Sequence, residues 1–255
     1  GNRVEVWQWA SSLMFAASSV VVFGRLRWGG VGATRATALA VVSLLEPHTF
    51  RWASSGMENG LTALVLALVV SLIHQPEAVP ERFRLWVGAF LGSLPFTRPE
   101  LAILAVAALT VLRCRAGWLG ALLVTGCGAA VACLVWGAPV PQTAAAKAIA
   151  LRQDVPTYAI RQVLLIMLSG GGAALVLVGL LRRAMPRWVP GLALAGIAVV
   201  GYLAIANQLV STRYSTTLTY PFLLTAVLGV GGESRWRMRA LLLMQAMSAG
   251  AVLST

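Results

Sequence analysis

An all-α fold is the expectation from this sequence, a polytopic transmembrane helical bundle of about ten helices forming one transmembrane domain over residues 1–255. Composition is the first observation behind it: hydrophobic residues make up 58%, charged residues 11%, and the mean hydropathy is +0.81. Soluble domains carry roughly 25% charged residues, so there is too little charge here to coat a water-facing surface. That excludes a disordered chain, a disulfide-stapled secreted domain and an ordinary cytosolic enzyme. The second observation is the recurrence of long apolar runs, and the third is an alternation of basic residues between them.

A spanning helix needs about 20 mostly apolar residues. Reading along the chain gives candidate runs at 6–23, 34–45, 60–73, 85–95, 101–112, 118–136, 160–181, 189–206, 218–230 and 240–253. The second, fourth and fifth have short apolar cores. They reach across only by extending into polar flanks or where the bilayer is locally thin.

The charges test this order independently. Arg25, Arg27, Arg35, Arg82, Arg84, Arg113, Arg115, Arg182, Arg183, Arg187, Arg235, Arg237 and Arg239 fall on one side of the alternation. Arg3, Arg51, Arg98, Lys147, Arg152, Arg161 and Arg213 fall on the other. Cytoplasmic connections collect Lys and Arg, so the first set is expected in the cytoplasm, with both ends of the chain outside. The formal net charge of +12 and pI near 11.3 have the same reading. No continuous basic stripe or aromatic platform for a nucleic-acid strand accompanies them, so nucleic acid is not expected as a partner.

Cys114, Cys127 and Cys133 form no CxxC pair, and His48 and His74 lie in different loops. A structural zinc site needs about four such ligands; buried free thiols are expected instead. The chain begins at Gly1 without a basic leader or a secretory cleavage site. It reads as a segment of a longer protein whose N-terminal part is missing.

Short basic turns mark the cytoplasmic connections, whereas the outer ones carry mixed polar, acidic and proline-bearing sequence. Four segments on that outer side stand out. In Ser54-Ser55-Gly56-Met57-Glu58-Asn59-Gly60, Glu58 would occupy the first turn of the next helix. The helix dipole favours an acid there; the alternative is an acid that orients a bound hydroxyl or cation. In Thr97-Arg98-Pro99-Glu100, Pro99 suits a first helical position, and Arg98 and Glu100 are either interfacial or paired at a site, because ionised groups in hydrocarbon are costly. Pro139-Val140-Pro141-Gln142-Thr143-Ala144-Ala145-Ala146-Lys147 holds the only lysine of the chain. It reads either as an incidental residue of a surface helix or as a compact ammonium selected for its site. Ser211-Thr212-Arg213-Tyr214-Ser215-Thr216-Thr217 is either a polar loop or an Arg and phenol able to grip a phosphate through charge-assisted bonds. Cations on the side where the charge rule disfavours them are explained by a bound anion such as a lipid phosphate. No Walker loop, GxSxG elbow, HExxH or GxGxxG fingerprint offers a competing chemistry.

These segments, in this order, resemble the polytopic GT-C glycosyltransferases that use polyprenyl-phosphate sugars, of the bacterial arabinofuranosyl- and mannosyltransferase-like kind. The matching residues are Ser55-Gly56-Met57-Glu58, Arg98-Pro99-Glu100, the stretch from Pro141-Gln142 to Lys147, and Arg213-Tyr214, so the resemblance covers about residues 50–225. Gln142 stands where Asn is commoner in those relatives, and Asn59 where Thr often follows. Their catalytic acid in the first outer loop has no counterpart here, nor does the C-terminal soluble domain of some relatives.

The resemblance implies sugar transfer from a polyprenyl-phosphate-linked donor to a glycan or lipid acceptor, at the outer face of a bacterial inner membrane, in cell-envelope biogenesis. It assigns Lys147, Arg213 and Arg98 to the donor phosphate, Glu58 and Glu100 to positioning the acceptor or the cations, and Gln142 and Tyr214 to the same binding site. A divalent metal is compatible with it, and no other cofactor is called for. The catalytic base would lie upstream, so this segment alone is expected to be inactive. Two other classes remain open: a transporter or flippase for lipid-linked or anionic solutes, and a non-catalytic membrane scaffold. A transporter should carry charges near mid-helix and often shows inverted repeats; here the charges sit at helix ends.

Overall fold

A computed structural model describes residues 2–45, 47–54, 59–98, 101–138 and 220–230. Within these the chain is all helical, with no strand. In chain order the elements are α1 (Asn2–Trp28), α2 (Ala33–Ser43), α3 (Pro47–Ser54), α4 (Asn59–His74), a 3-10 turn (Pro76–Ala78), α5 (Glu81–Thr97), α6 (Leu101–Leu112), α7 (Arg115–Trp136) and α8 (Tyr220–Val230). Seven of the expected apolar runs coincide with α1, α2, α4, α5, α6, α7 and α8. The runs at 160–181, 189–206 and 240–253 lie outside the described residues. The sequence did not announce α3, which falls within a polar outer connection.

Two of these helices are long and apolar enough to cross a membrane: the stretch Val4–Trp28 of α1, with 25 residues, and α7, with 22. At about 1.5 Å per residue each exceeds the roughly 30 Å of a hydrocarbon core. Only 22% and 17% of their apolar windows are buried. The second and fifth runs are as short as expected, with 11 and 12 residues in α2 and α6. The fourth is longer than its apolar core, because α5 recruits Glu81-Arg82-Phe83-Arg84 at its start and continues through Pro95 to Thr97.

Helix ends explain the short connections. After α1, Gly30 takes φ +82° while its N–H bonds Arg27 O and the Val31 N–H bonds Leu26 O, a Schellman arrangement that only a residue tolerant of positive φ completes cheaply. α7 ends on Gly137 at φ 72°, whose N–H reaches Cys133 O. Between α6 and α7 the turn is just Arg113 and Cys114: Arg113 adopts φ 48°, and the Cys114 thiol caps α7 by accepting the Gly117 N–H at 3.2 Å.

The described elements belong to two compact units. In the first, α4 is central and is packed by α1, α3 and α8, while α2 packs on α1 and α8. The inner stripe of α1 runs Ser11, Phe15, Ser18, Val22, Leu26, steps of three and four that keep one helix face toward a neighbour. α8 buries Tyr220, Leu223, Leu224, Val227 and Leu228, with Pro221 and Thr225 buried beside them, so its described side chains are enclosed.

In the second unit α5, α6 and α7 pack together, with the 3-10 turn on α6. A Cβ on Gly88 would strike the Gly117 backbone, one on Gly92 the Ala121 backbone and one on Gly120 the Leu85 carbonyl. Residue numbers rise together along both helices, so α5 and α7 run parallel. Thr125 Oγ1 donates to Gly92 O at 2.9 Å across this seam. Small residues that let backbones approach, with a hydroxyl bonded across, are how apolar helices associate when burial from water cannot drive them.

The cysteines are free, but they are not buried as expected. Cys114 is half-buried and Cys127 and Cys133 are exposed. Cys133 lies on the outward side of α7, whose contact face is taken by Gly117, Gly120, Ala121 and Ala132, and Cys127 lies at the flank of that face.

Candidate functional site

Of the seven predicted site residues, Arg98 is described. Glu58, Glu100, Gln142, Lys147, Arg213 and Tyr214 lie outside the described residues. Arg98 is the last residue before Pro99, and a residue preceding proline is pushed out of the helical region. It accordingly takes φ −151°, ψ 124° and closes α5 with its N–H on Leu94 O, while its own carbonyl accepts the Leu101 N–H at 3.0 Å. Its side chain is only 6% exposed. A guanidinium is almost never this buried unless it is paired, and Arg98 does take part in a polar interaction. Arg51, another cation of the expected outer set, is exposed on α3.

An apolar groove of about 510 Å³ lies beside this end of α5, lined by Phe96, Leu123, Cys127, Val131 and Trp136 among others. Phe96 also packs on α7 at Gly128, where an added Cβ would meet its ring. A buried cation and an apolar trough therefore follow one another within two residues of the chain.

In the first unit the structure positions the helices that flank two of the motifs. Asn59 and Gly60, which follow Glu58 directly, are buried at the start of α4. The Gly60 N–H donates to Ser11 Oγ at 3.2 Å, and a Cβ on Gly60 would meet the Ser11 backbone. Tyr220, six residues after Tyr214, is fully buried at the start of α8. Its hydroxyl shares a 2.7 Å hydrogen bond with Ser18 Oγ, which also donates to Phe15 O at 2.6 Å. The ring of Phe15 stands 6.0 Å from that of Tyr220 and 6.4 Å from that of Phe50 on α3. One face of α1 therefore receives the starts of two motif-bearing helices about two turns apart. Sequence reading did not single out Ser11, Ser18 or Tyr220. The available signal was two serines seven residues apart in an otherwise apolar run.

No group of three His, Cys, Asp or Glu that could hold a metal gathers among the described residues. Compared with family models, with curated proteins and with solved structures, the chain matches none of them.

Proposed function

We propose that this chain is a multi-pass membrane protein and the transmembrane part of a glycosyltransferase that takes a sugar from a polyprenyl-phosphate donor at the extracytoplasmic face. The membrane part of this reading is supported by the outward faces of α1 and α7. Trp7, Trp9 and Trp28 are 68%, 71% and 77% exposed, and Trp9 and Trp28 are separated by about 28 Å of helix. Tryptophan collects at both membrane interfaces, so this spacing fits one bilayer crossing.

The observation that carries the enzymatic reading is the buried Arg98 of the Arg98-Pro99-Glu100 motif, two residues after Phe96, which lines an apolar groove. Phosphate leaving with a lipid needs a fixed cation in a partly dry place, where positioned charge stabilises it best. Its isoprenoid chain needs an apolar trough. Lys147 and Arg213 would complete the phosphate contacts, with Gln142 and Tyr214 beside them. Glu58 and Glu100 would orient the acceptor hydroxyl or hold the cations in place. The proton of that hydroxyl passes to a carboxylate acting as general base.

Replacing Lys147 and Arg213 by Ala in the full-length protein tests the reading. Transfer from a polyprenyl-phosphate sugar should fall by about 10²-fold or more for each, with normal membrane insertion. Unchanged transfer would refute it. Loss of solute uptake rather than of transfer would make the chain a transporter.

A further inference from the structure

In the second unit the starts of α5 and α7 lie side by side, the Arg84 carbonyl oxygen standing 3.6 Å from the Cβ position of Gly117. Four arginines gather at this end: Arg82 and Arg84 in the first turn and a half of α5, and Arg113 and Arg115 at the turn that opens α7. Their placement runs against local electrostatics, because a helix N-terminus already carries partial positive charge and favours anions. Two parallel N-termini are side by side here.

Among the described residues, the acids near this corner do little to offset this. Glu81 meets Arg84 Nη1 at 3.5 Å with a carboxylate side chain 87% exposed, a geometry that water screens. Glu77 is exposed on the 3-10 turn. Arg84 Nε is shielded from solvent and makes no hydrogen bond. Arg82 stacks over the Phe83 ring, 4.9 Å from its centroid. Arg113 and Arg115 are exposed, with no ion-pair partner among the described residues. Trp86, one turn along α5, is 70% exposed and marks an apolar surface directly next to the charges.

We propose that this corner binds the phosphate headgroup of an anionic phospholipid, its acyl chains lying along the exposed sides of α5 and α7. The inference rests on the membrane-spanning reading above, and not on glycosyl transfer. Basic pockets between helices on the cytoplasmic side suit such headgroups. Arginine forks add directional bonds to phosphate oxygens that a mere topology signal would not need.

The test uses the full chain reconstituted in phosphatidylcholine bilayers with rising fractions of phosphatidylglycerol. The lipid that stays bound after extraction into detergent is quantified by mass spectrometry. Phosphatidylglycerol should be enriched over phosphatidylcholine. Arg84→Gln and Arg115→Gln should each lower that enrichment about fivefold, whereas Arg27→Gln on α1 should leave it intact. Equal retention of the two lipids, or an equal effect of Arg27→Gln, would overturn the site. So would full displacement of the lipid by inorganic phosphate, which would make it a site for the free anion. Failure of the chain to resist carbonate extraction from every bilayer would instead remove the membrane reading, and this inference with it.

Discussion

Helix α1 meets α4 and α8 across serines, whereas α5 meets α7 across glycines. At the first contact Ser11 Oγ takes the Gly60 N–H and Ser18 Oγ bonds the Tyr220 hydroxyl. The hydroxyls are therefore fixed by named partners, with the aromatic rings of Phe15, Phe50 and Tyr220 filling the space around them. At the second contact the backbones themselves touch, and only Thr125 bonds across. The units also place their arginines differently. Arg25 and Arg27 lie in the last turn of α1, where the dipole favours cations, and Arg27 donates to Val31 O at 2.8 Å. Arg3, in the first turn of α1, and Arg35, in that of α2, are exceptions on that unit. Arg82, Arg84 and Arg115 lie at helix starts. Gly60 lets the Ser11 backbone approach as closely as Gly88 lets that of Gly117, so both contacts use a glycine, and the first adds hydroxyl partners that specify a register.

The contrast is broken most severely at Gly88. Gly88→Leu places a side chain into the Gly117 backbone and should cost about 3 kcal/mol or more, read as loss of the folded chain in thermal unfolding in lipid. Gly60→Ala meets the Ser11 backbone and disturbs the serine seam; about 2 kcal/mol is expected in the same measurement. By contrast, Gly128→Ala meets only the movable Phe96 ring, and a cost below about 1 kcal/mol would sharpen the distinction between backbone and side-chain contact. A double-mutant cycle of Ser18→Ala with Tyr220→Phe should give a coupling of about 0.6 kcal/mol, typical for hydrogen bonds between membrane helices. The smallest effect belongs to Gly126, whose Cβ position is open. Gly126→Ala should be neutral or stabilising by up to about 1 kcal/mol through helix propensity. A large loss there would mean that the outward side of α7 is covered by something.

Helix locations were legible because apolar runs bounded by charge have one low-energy backbone state where water is scarce, the helix with its N–H and C=O groups paired internally. Thus α6 spans the expected 101–112, and α4 differs from 60–73 by one residue at each end. α3 was missed because Pro47–Ser54 is too short and too polar to register as an apolar run. The apolar run that marks α5 ends at Pro95, whose ring lacks a helical donor. The helix runs to Thr97, however, and Thr97 Oγ1 back-bonds to Leu94 O at 2.8 Å. The cysteines were placed inside the protein on composition alone, yet which side of an evenly apolar helix turns inward depends on where its glycines find a partner. Of the site, the sequence marked Arg98 as a charge near hydrocarbon, and the structure buries it.

The amino-acid order by itself determined the helical class, the approximate ends of the helices and the distribution of positive charge, because these depend on local hydrogen bonding and on residue-by-residue transfer from water. Tertiary structure alone decided that Gly88 faces Gly117, that Ser18 finds a tyrosine 202 residues away, and that the arginines of α5 and α7 share one corner. Such pairings depend on which surfaces fit at contact distance, and a one-dimensional pattern of apolar residues is nearly the same for many of them.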